Sequence, residues 1–110
     1  MALPMPALGR EHFRTHLERS DLTLLVDFWA PWCGPCQVMT PQFERAALEL
    51  EPLLRLAKVD TEAEPALGQR HNIRSIPTLA LFKGGREVAR QAGALTAAEI
   101  VRWSRQHVGG

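Results

Sequence analysis

Cys33 and Cys36 are the only cysteines in a chain of 110 residues, and only Gly34 and Pro35 stand between them. A single pair excludes both the multi-bridge framework of small secreted domains and a four-cysteine zinc site, and at this spacing it points to redox chemistry. The run Trp29-Ala30-Pro31-Trp32-Cys33-Gly34-Pro35-Cys36 leads from an apolar stretch into what reads as the first turn of a helix. A thiol there faces unpaired N–H groups and the positive end of the helix dipole, which favour thiolate over thiol. Cys33 is therefore expected to titrate below the ~8.5 of a free cysteine. Side chains three apart on a helix are neighbours, so the pair can close and reopen a disulfide with little backbone movement. Cys33, at the start of the turn, is the more accessible and the expected nucleophile. Cys36, one turn in, points back toward the sheet and is expected to resolve the mixed disulfide.

A C-x-x-C pair can also be half of a zinc site, and His12 and His16 have the i, i+4 spacing of ligands. Zinc-finger order puts the cysteines first, however, and no glutamate follows the first histidine as in zinc proteases. His12, His16, His71 and His107 all read as solvated. Asp27 is more informative, because it interrupts the most apolar stretch of the chain, between Val26 and Phe28. A carboxyl group buried there without a full partner has a raised pKa, which suits a base that takes the proton from Cys36 as it attacks. Lys58 shares the parity of Leu54 and Leu56, so it either reaches inward toward Asp27 or ends its strand in water.

The elements that must position these groups follow from hydrophobic period and turn residues. Residues 10–19 read as a short amphipathic helix with Phe13 and Leu17 on one side, while Pro4 and Pro6 weaken any leading strand. Residues 22–29 (LTLLVDFW) are apolar almost without alternation, as in a strand buried on both faces. Residues 33–50 follow as a helix with Val38, Met39, Phe43, Ala46, Ala47 and Leu50 as its apolar stripe and Pro41 inside it. Residues 53–59 form a second strand, followed by a short helix between 61 and 71 that opens either at a Thr61/Glu64 capping box or at Pro65. Residues 78–82 and 87–91 flank Gly84-Gly85, a dipeptide suited to a tight hairpin. A last helix over 96–107 opens on a Thr96/Glu99 capping box and offers Ile100, Val101 and Trp103 to the core. Strands alternating with helices and ending in a hairpin give an α/β fold, a mixed sheet covered on both sides with an antiparallel edge, in one domain spanning 1–110.

Composition narrows the function. The 13 Lys and Arg are interleaved with 12 Asp and Glu, leaving no basic face large enough to track nucleic acid. No apolar run approaches the ~18 residues of a membrane span. The prolines near the start stand where a signal peptide would carry its apolar helix, so a cytoplasmic protein is expected.

With WCGPC after VDFWA, and Ile76-Pro77-Thr78 opening a later strand, the sequence resembles the thioredoxin family from about residue 13 to 108. Phe28, Trp29, Pro31, Trp32, Cys33, Gly34, Pro35, Cys36, Pro41, Lys58, Pro77, Thr78, Phe82, Gly84 and Gly93 match its pattern. The resemblance implies a thioredoxin fold, a central mixed sheet of four to five strands flanked by four helices. It implies that Ile76-Pro77 is cis and sits against the dithiol, that the backbone of Ile76 pairs with an extended substrate segment, and that Trp32, Gly34, Pro35, Ile76, Gly93 and Ala94 form an apolar docking surface. Phe28 and Trp29 read as core. Gly-Pro between the cysteines resembles the reducing members, so the implied activity is reduction of protein disulfides. The resemblance further implies that the chain binds no cofactor itself and takes its electrons from NADPH through a flavin-containing thioredoxin reductase, and a monomer is the expected state. A non-catalytic binding subunit using the same surface, or a disulfide oxidase or isomerase, is the alternative. The segments TEAE (61–64) and IRSIPT (73–78) resemble the thioredoxin-2 branch, whose members usually carry an N-terminal zinc region. No such region precedes residue 13 here, so either the chain lies outside that branch or the region is missing from it. Asn72 stands where the family commonly has glycine, a position asparagine tolerates.

Overall fold

The computed structural model describes residues 7, 9, 13–15 and 23–108. Strand β1 (Thr23–Trp29) leads into helix α1 (Gly34–Leu50), followed by β2 (Arg55–Asp60), α2 (Pro65–Arg70), the hairpin β3 (Thr78–Lys83) and β4 (Arg86–Ala92), and α3 (Ala97–Val108). The sheet order is β2-β1-β3-β4, with β1 parallel to β2 and antiparallel to β3, and β4 antiparallel to β3 at the edge. Gly84 and Gly85 close the hairpin with φ of 60° and 80°, the left-handed pair that a two-residue turn needs to match strand twist.

β1 is central, and residues 24–28 are all buried. Alternation then splits them between two cores. Leu25 joins Met39, Phe43, Leu50, Leu56, Leu79, Leu81 and Ile100 beneath α1 and α3. Leu24, Val26 and Phe28 join Phe13, Val59, Leu67 and Phe82 on the other side. Burial on both faces is what removes the polar alternation from the 22–29 run.

The buried residues of α1 are Cys36, Met39, Phe43, Ala46, Ala47 and Leu50, spaced by three and four throughout. Val38, expected in that stripe, is instead 70% exposed, because it lies about 100° around the helix from Met39. Leu53 is likewise exposed: residues 51–54 turn, with Leu54 N–H donating to Leu50 O, and the strand begins at Arg55. Of the two expected starts for the short helix, Pro65 is the one used, and Glu64 makes no side-chain cap. The α3 capping box is complete, with Glu99 N–H donating to Thr96 Oγ1 at 3.2 Å and Thr96 N–H to Glu99 Oε1 at 2.9 Å. Residues 13–15 are helical, as expected; the rest of the 10–19 helix lies outside the described residues. Ala7 forms an isolated parallel bridge to Lys58 of β2, in the region where Pro4 and Pro6 weaken a leading strand.

His71, expected to be solvated, is half-buried against Phe13, Phe28 and Phe82 at ring-centroid distances of 5.0, 5.9 and 5.5 Å. Its Nε2 is buried without a hydrogen-bond partner. Burial, aided by Arg70 and Arg90 and opposed by Glu87, lowers its pKa from 6.5. The folded protein thus binds this proton less tightly than the unfolded chain does, and its stability falls as pH drops below 6.5 until the folded pKa is passed. His71→Phe is expected to flatten that acid limb of the melting temperature, measured from pH 7.5 down to 5; an unchanged slope would assign the limb to other groups.

Candidate active site

β1 delivers the chain to the site and α1 carries it away. Between them Ala30 O accepts Cys33 N–H at 3.1 Å, closing a turn that presents Trp32, 70% exposed, to solvent. Cys33 is the N-cap of α1, with extended backbone at φ −84° and ψ 112°. Its Sγ accepts the Cys36 N–H at 3.2 Å, as a serine or aspartate oxygen does at an ordinary N-cap. Pro35, which has no N–H to leave unpaired, occupies the first turn. The Cys33 sulfur therefore sits where an amide and the helix dipole both favour negative charge.

The two cysteines are joined in a disulfide, with Cα atoms 5.2 Å apart. Cys33 keeps 5% of its surface accessible and Cys36 none. Ala30, Trp29 and Ile76 pack around the pair. Ile76-Pro77 is cis, as the resemblance implied, and Ile76 O lies 3.8 Å from Cys33 Sγ. Pro77 is buried, whereas Gly34, Pro35, Gly93 and Ala94 are exposed and Ile76 half so.

Segment 93–97 is held by three bonds to the rest of the site. Gly93, at φ 95°, donates its N–H to Pro77 O at 2.9 Å. Leu95 N–H donates to Met39 Sδ at 3.5 Å, and Ala97 N–H to Gln42 Oε1 at 2.9 Å. Met39 and Gln42 are one turn apart on α1, so the helix that starts at the dithiol also fixes the loop opposite it. Thr61 is a similar support: its N–H and Oγ1 both donate to Trp29 O, at 2.8 and 3.0 Å, pinning the end of β1. Sequence reasoning missed Met39 and Gln42 as supports and read Thr61 only as a helix cap. Bonds between residues 32 to 56 positions apart leave no mark in local spacing.

Asp27 is fully buried and neither carboxyl oxygen has a hydrogen-bond partner. Desolvation raises its pKa from 3.8 to about 7, against the opposing pull of Lys58. Lys58 is its neighbour in the β1–β2 register, but its Nζ lies 4.2 Å from the centroid of the Trp29 ring, and no ion pair with Asp27 forms. Of its two open readings, Lys58 thus takes neither fully: it stays half-buried on an aromatic face, where a cation is favoured. Trp29 is correspondingly half-buried, while Phe28 is core. Asp27 and Leu25 share a face of β1, and β1 runs toward the site while α1 runs away from it. Leu25 packs in the same core as Met39 and Phe43, so Asp27, two residues on, faces the side of the sheet that α1 covers and on which Cys36 is buried.

No three His, Cys, Asp or Glu groups converge on a possible metal site among the described residues, and His12 and His16 lie outside them. No helix among them is long and apolar enough to cross a membrane.

A helix-capping dithiol beside a cis-proline, at the end of a mixed sheet packed between helices, defines a thiol–disulfide oxidoreductase with the thioredoxin fold. The thioredoxin family model matches residues 5–106. Thioredoxin C-3 of Corynebacterium nephridii is 45% identical over 101 residues, 92% of this chain and 69% of the relative. Thioredoxin 1 of Nostoc sp. is 38% identical over 96 residues, 87% of this chain and 90% of the relative. The chloroplastic M-type thioredoxin of Chlamydomonas reinhardtii is 38% identical over the same 87% of this chain and 69% of its own length. The chain belongs to the thioredoxin family and is a protein-disulfide reductase of that class.

Proposed function

We propose that Cys33 is the nucleophile, Cys36 the resolving thiol and Asp27 the base that serves it. The reduced Cys33 thiolate attacks a substrate disulfide, forming a Cys33–substrate bond and releasing one substrate sulfur. Cys36 passes its proton to Asp27 and attacks Cys33, which closes the Cys33–Cys36 disulfide and frees the second substrate sulfur. Two electrons reach the substrate; of its two thiolates one takes the proton returned by Asp27 and the other is protonated from water. A base with a pKa near the working pH is half available at neutrality, which suits both accepting and returning a proton. Lys58 tunes Asp27 electrostatically, while Gly34, Pro35 and Pro77 hold the dithiol in place.

The observation that carries this reading is the Cys36 N–H directed at Cys33 Sγ, with the second sulfur sealed beneath it. Trp32, Ile76, Gly93 and Ala94 are the rim on which an extended substrate segment would lie, Ile76 offering its backbone and Pro77 backing it. Such docking reads main chain rather than sequence, so many substrates are accepted. Electrons are returned from NADPH by a flavin-containing thioredoxin reductase, and the protein works as a cytoplasmic monomer. TEAE and IRSIPT favour the thioredoxin-2 branch. The test is the pH dependence of alkylation of the reduced protein by iodoacetamide. Cys33 is expected to react first, with a midpoint below the ~8.5 of a free thiol; a midpoint at or above that value removes it as nucleophile.

A further inference from the structure

Away from the dithiol, α1 and α3 enclose an open groove of about 660 Å³ whose walls include Arg45, Glu49, Thr96, Val101, Arg102 and Arg105. Three guanidinium groups thus face one carboxylate, in a chain whose overall formal charge is only +1. None of the three arginines forms a hydrogen bond or an ion pair within 4 Å among the described residues. Glu99, the other carboxylate acting on Arg102, is engaged in the capping box. Ala97, Ala98 and Val101 add apolar surface to the same lining, so a segment lying there would meet methyl groups as well as guanidinium groups.

Along the chain the groove begins just past the dithiol rim. Thr96 and Ala97 line it, two and three residues beyond Ala94. Ala97 is tied to Gln42, another lining residue, by the bond described above. Arg45 lies about three helical turns past Cys33, a rise of ~18 Å, which about five or six extended residues span.

We propose that this groove is a second docking site that selects disulfide substrates carrying an acidic extended segment about five or six residues from the reducible cysteine. The inference rests on the dithiol's role as reductant and names a substrate class for it. Electrostatic contacts of this exposed kind are screened by salt and individually weak, so three together are worth a fold-change of about ten.

The test uses the full chain, reduced beforehand, and disulfide-linked peptides with a five-residue Gly/Ser spacer followed by either five Glu or five Gln. The Glu peptide is expected to show a KM about tenfold lower at low salt, with the difference lost in 0.5 M NaCl. Replacing the three arginines (Arg45→Gln, Arg102→Gln, Arg105→Gln) should abolish the preference and leave the Gln peptide's kinetics unchanged, while Glu49→Gln should enlarge it. Equal KM values for the two peptides in the unmodified protein, or a preference that survives the triple substitution, overturn the groove as docking site. Reduction of neither peptide overturns the reductant reading along with it.

Discussion

Cys33→Ser is expected to abolish turnover of insulin disulfides with dithiothreitol as the electron source, a loss of about three orders of magnitude or more. Serine keeps the shape of the N-cap and can accept the Cys36 N–H, so the fold is retained and only the chemistry is lost. Cys36→Ser behaves differently. Cys33 still attacks, but nothing beneath it displaces the bound sulfur, and a covalent protein–substrate adduct accumulates on a non-reducing gel. Adducts that form through Cys36 in the Cys33→Ser protein would reverse the two roles. Full insulin turnover by Cys33→Ser would instead remove Cys33 as the nucleophile.

Asp27→Asn should separate stability from rate. With its folded pKa raised from 3.8 to about 7, Asp27 holds its proton more tightly in the native state than in the unfolded chain. Its ionisation therefore costs stability progressively from pH 3.8 up to about 7 and by a constant amount above that. A rise from 3.8 to about 7 corresponds to about 4 kcal/mol, of which the unpaired amide of asparagine gives some back, so a gain of about 2 to 4 kcal/mol is expected at pH 8. The gain should vanish toward pH 4 in urea titrations. Over the same range resolution of the mixed disulfide should slow by about tenfold or more, because Cys36 loses its proton acceptor. Unchanged stability together with an unchanged rate would remove Asp27 from the mechanism. The acid limb from His71 has the opposite slope, so the two groups partly cancel in the parent protein and each variant exposes the other.

Asp27 and the cysteine pair were legible in the sequence because each breaks a strong local pattern: a charge inside an unbroken apolar run, and two thiols one turn apart behind a strand. The hairpin and the last helix were legible for the same reason, since Gly84-Gly85 and Thr96/Glu99 act over two to four residues. What escaped depends on tertiary distance. His71 ends a six-residue helix amid polar neighbours, and only the meeting of Phe13, Phe28 and Phe82, from three separate segments, encloses it. Val38 was misplaced by reading its apolarity without its helical phase. The hold of Lys58 on Trp29 rather than Asp27 is set by how β1 and β2 come together, which no spacing along one strand reports.

The outer rim of the sheet bears on how the molecule behaves in a crowded solution. β4 is an edge strand bearing Arg86, Glu87 and Arg90, and the ladder shifts register at Leu81/Phe82, leaving Val88 without a partner. Arg90 binds Glu87 and reaches back to the carbonyls of His71 and Asn72. Charged, irregular and tethered, this border is a poor template for adding another strand. Strand addition between copies along this border is thereby disfavoured, and concentrated protein is not expected to grow into polymers through β4.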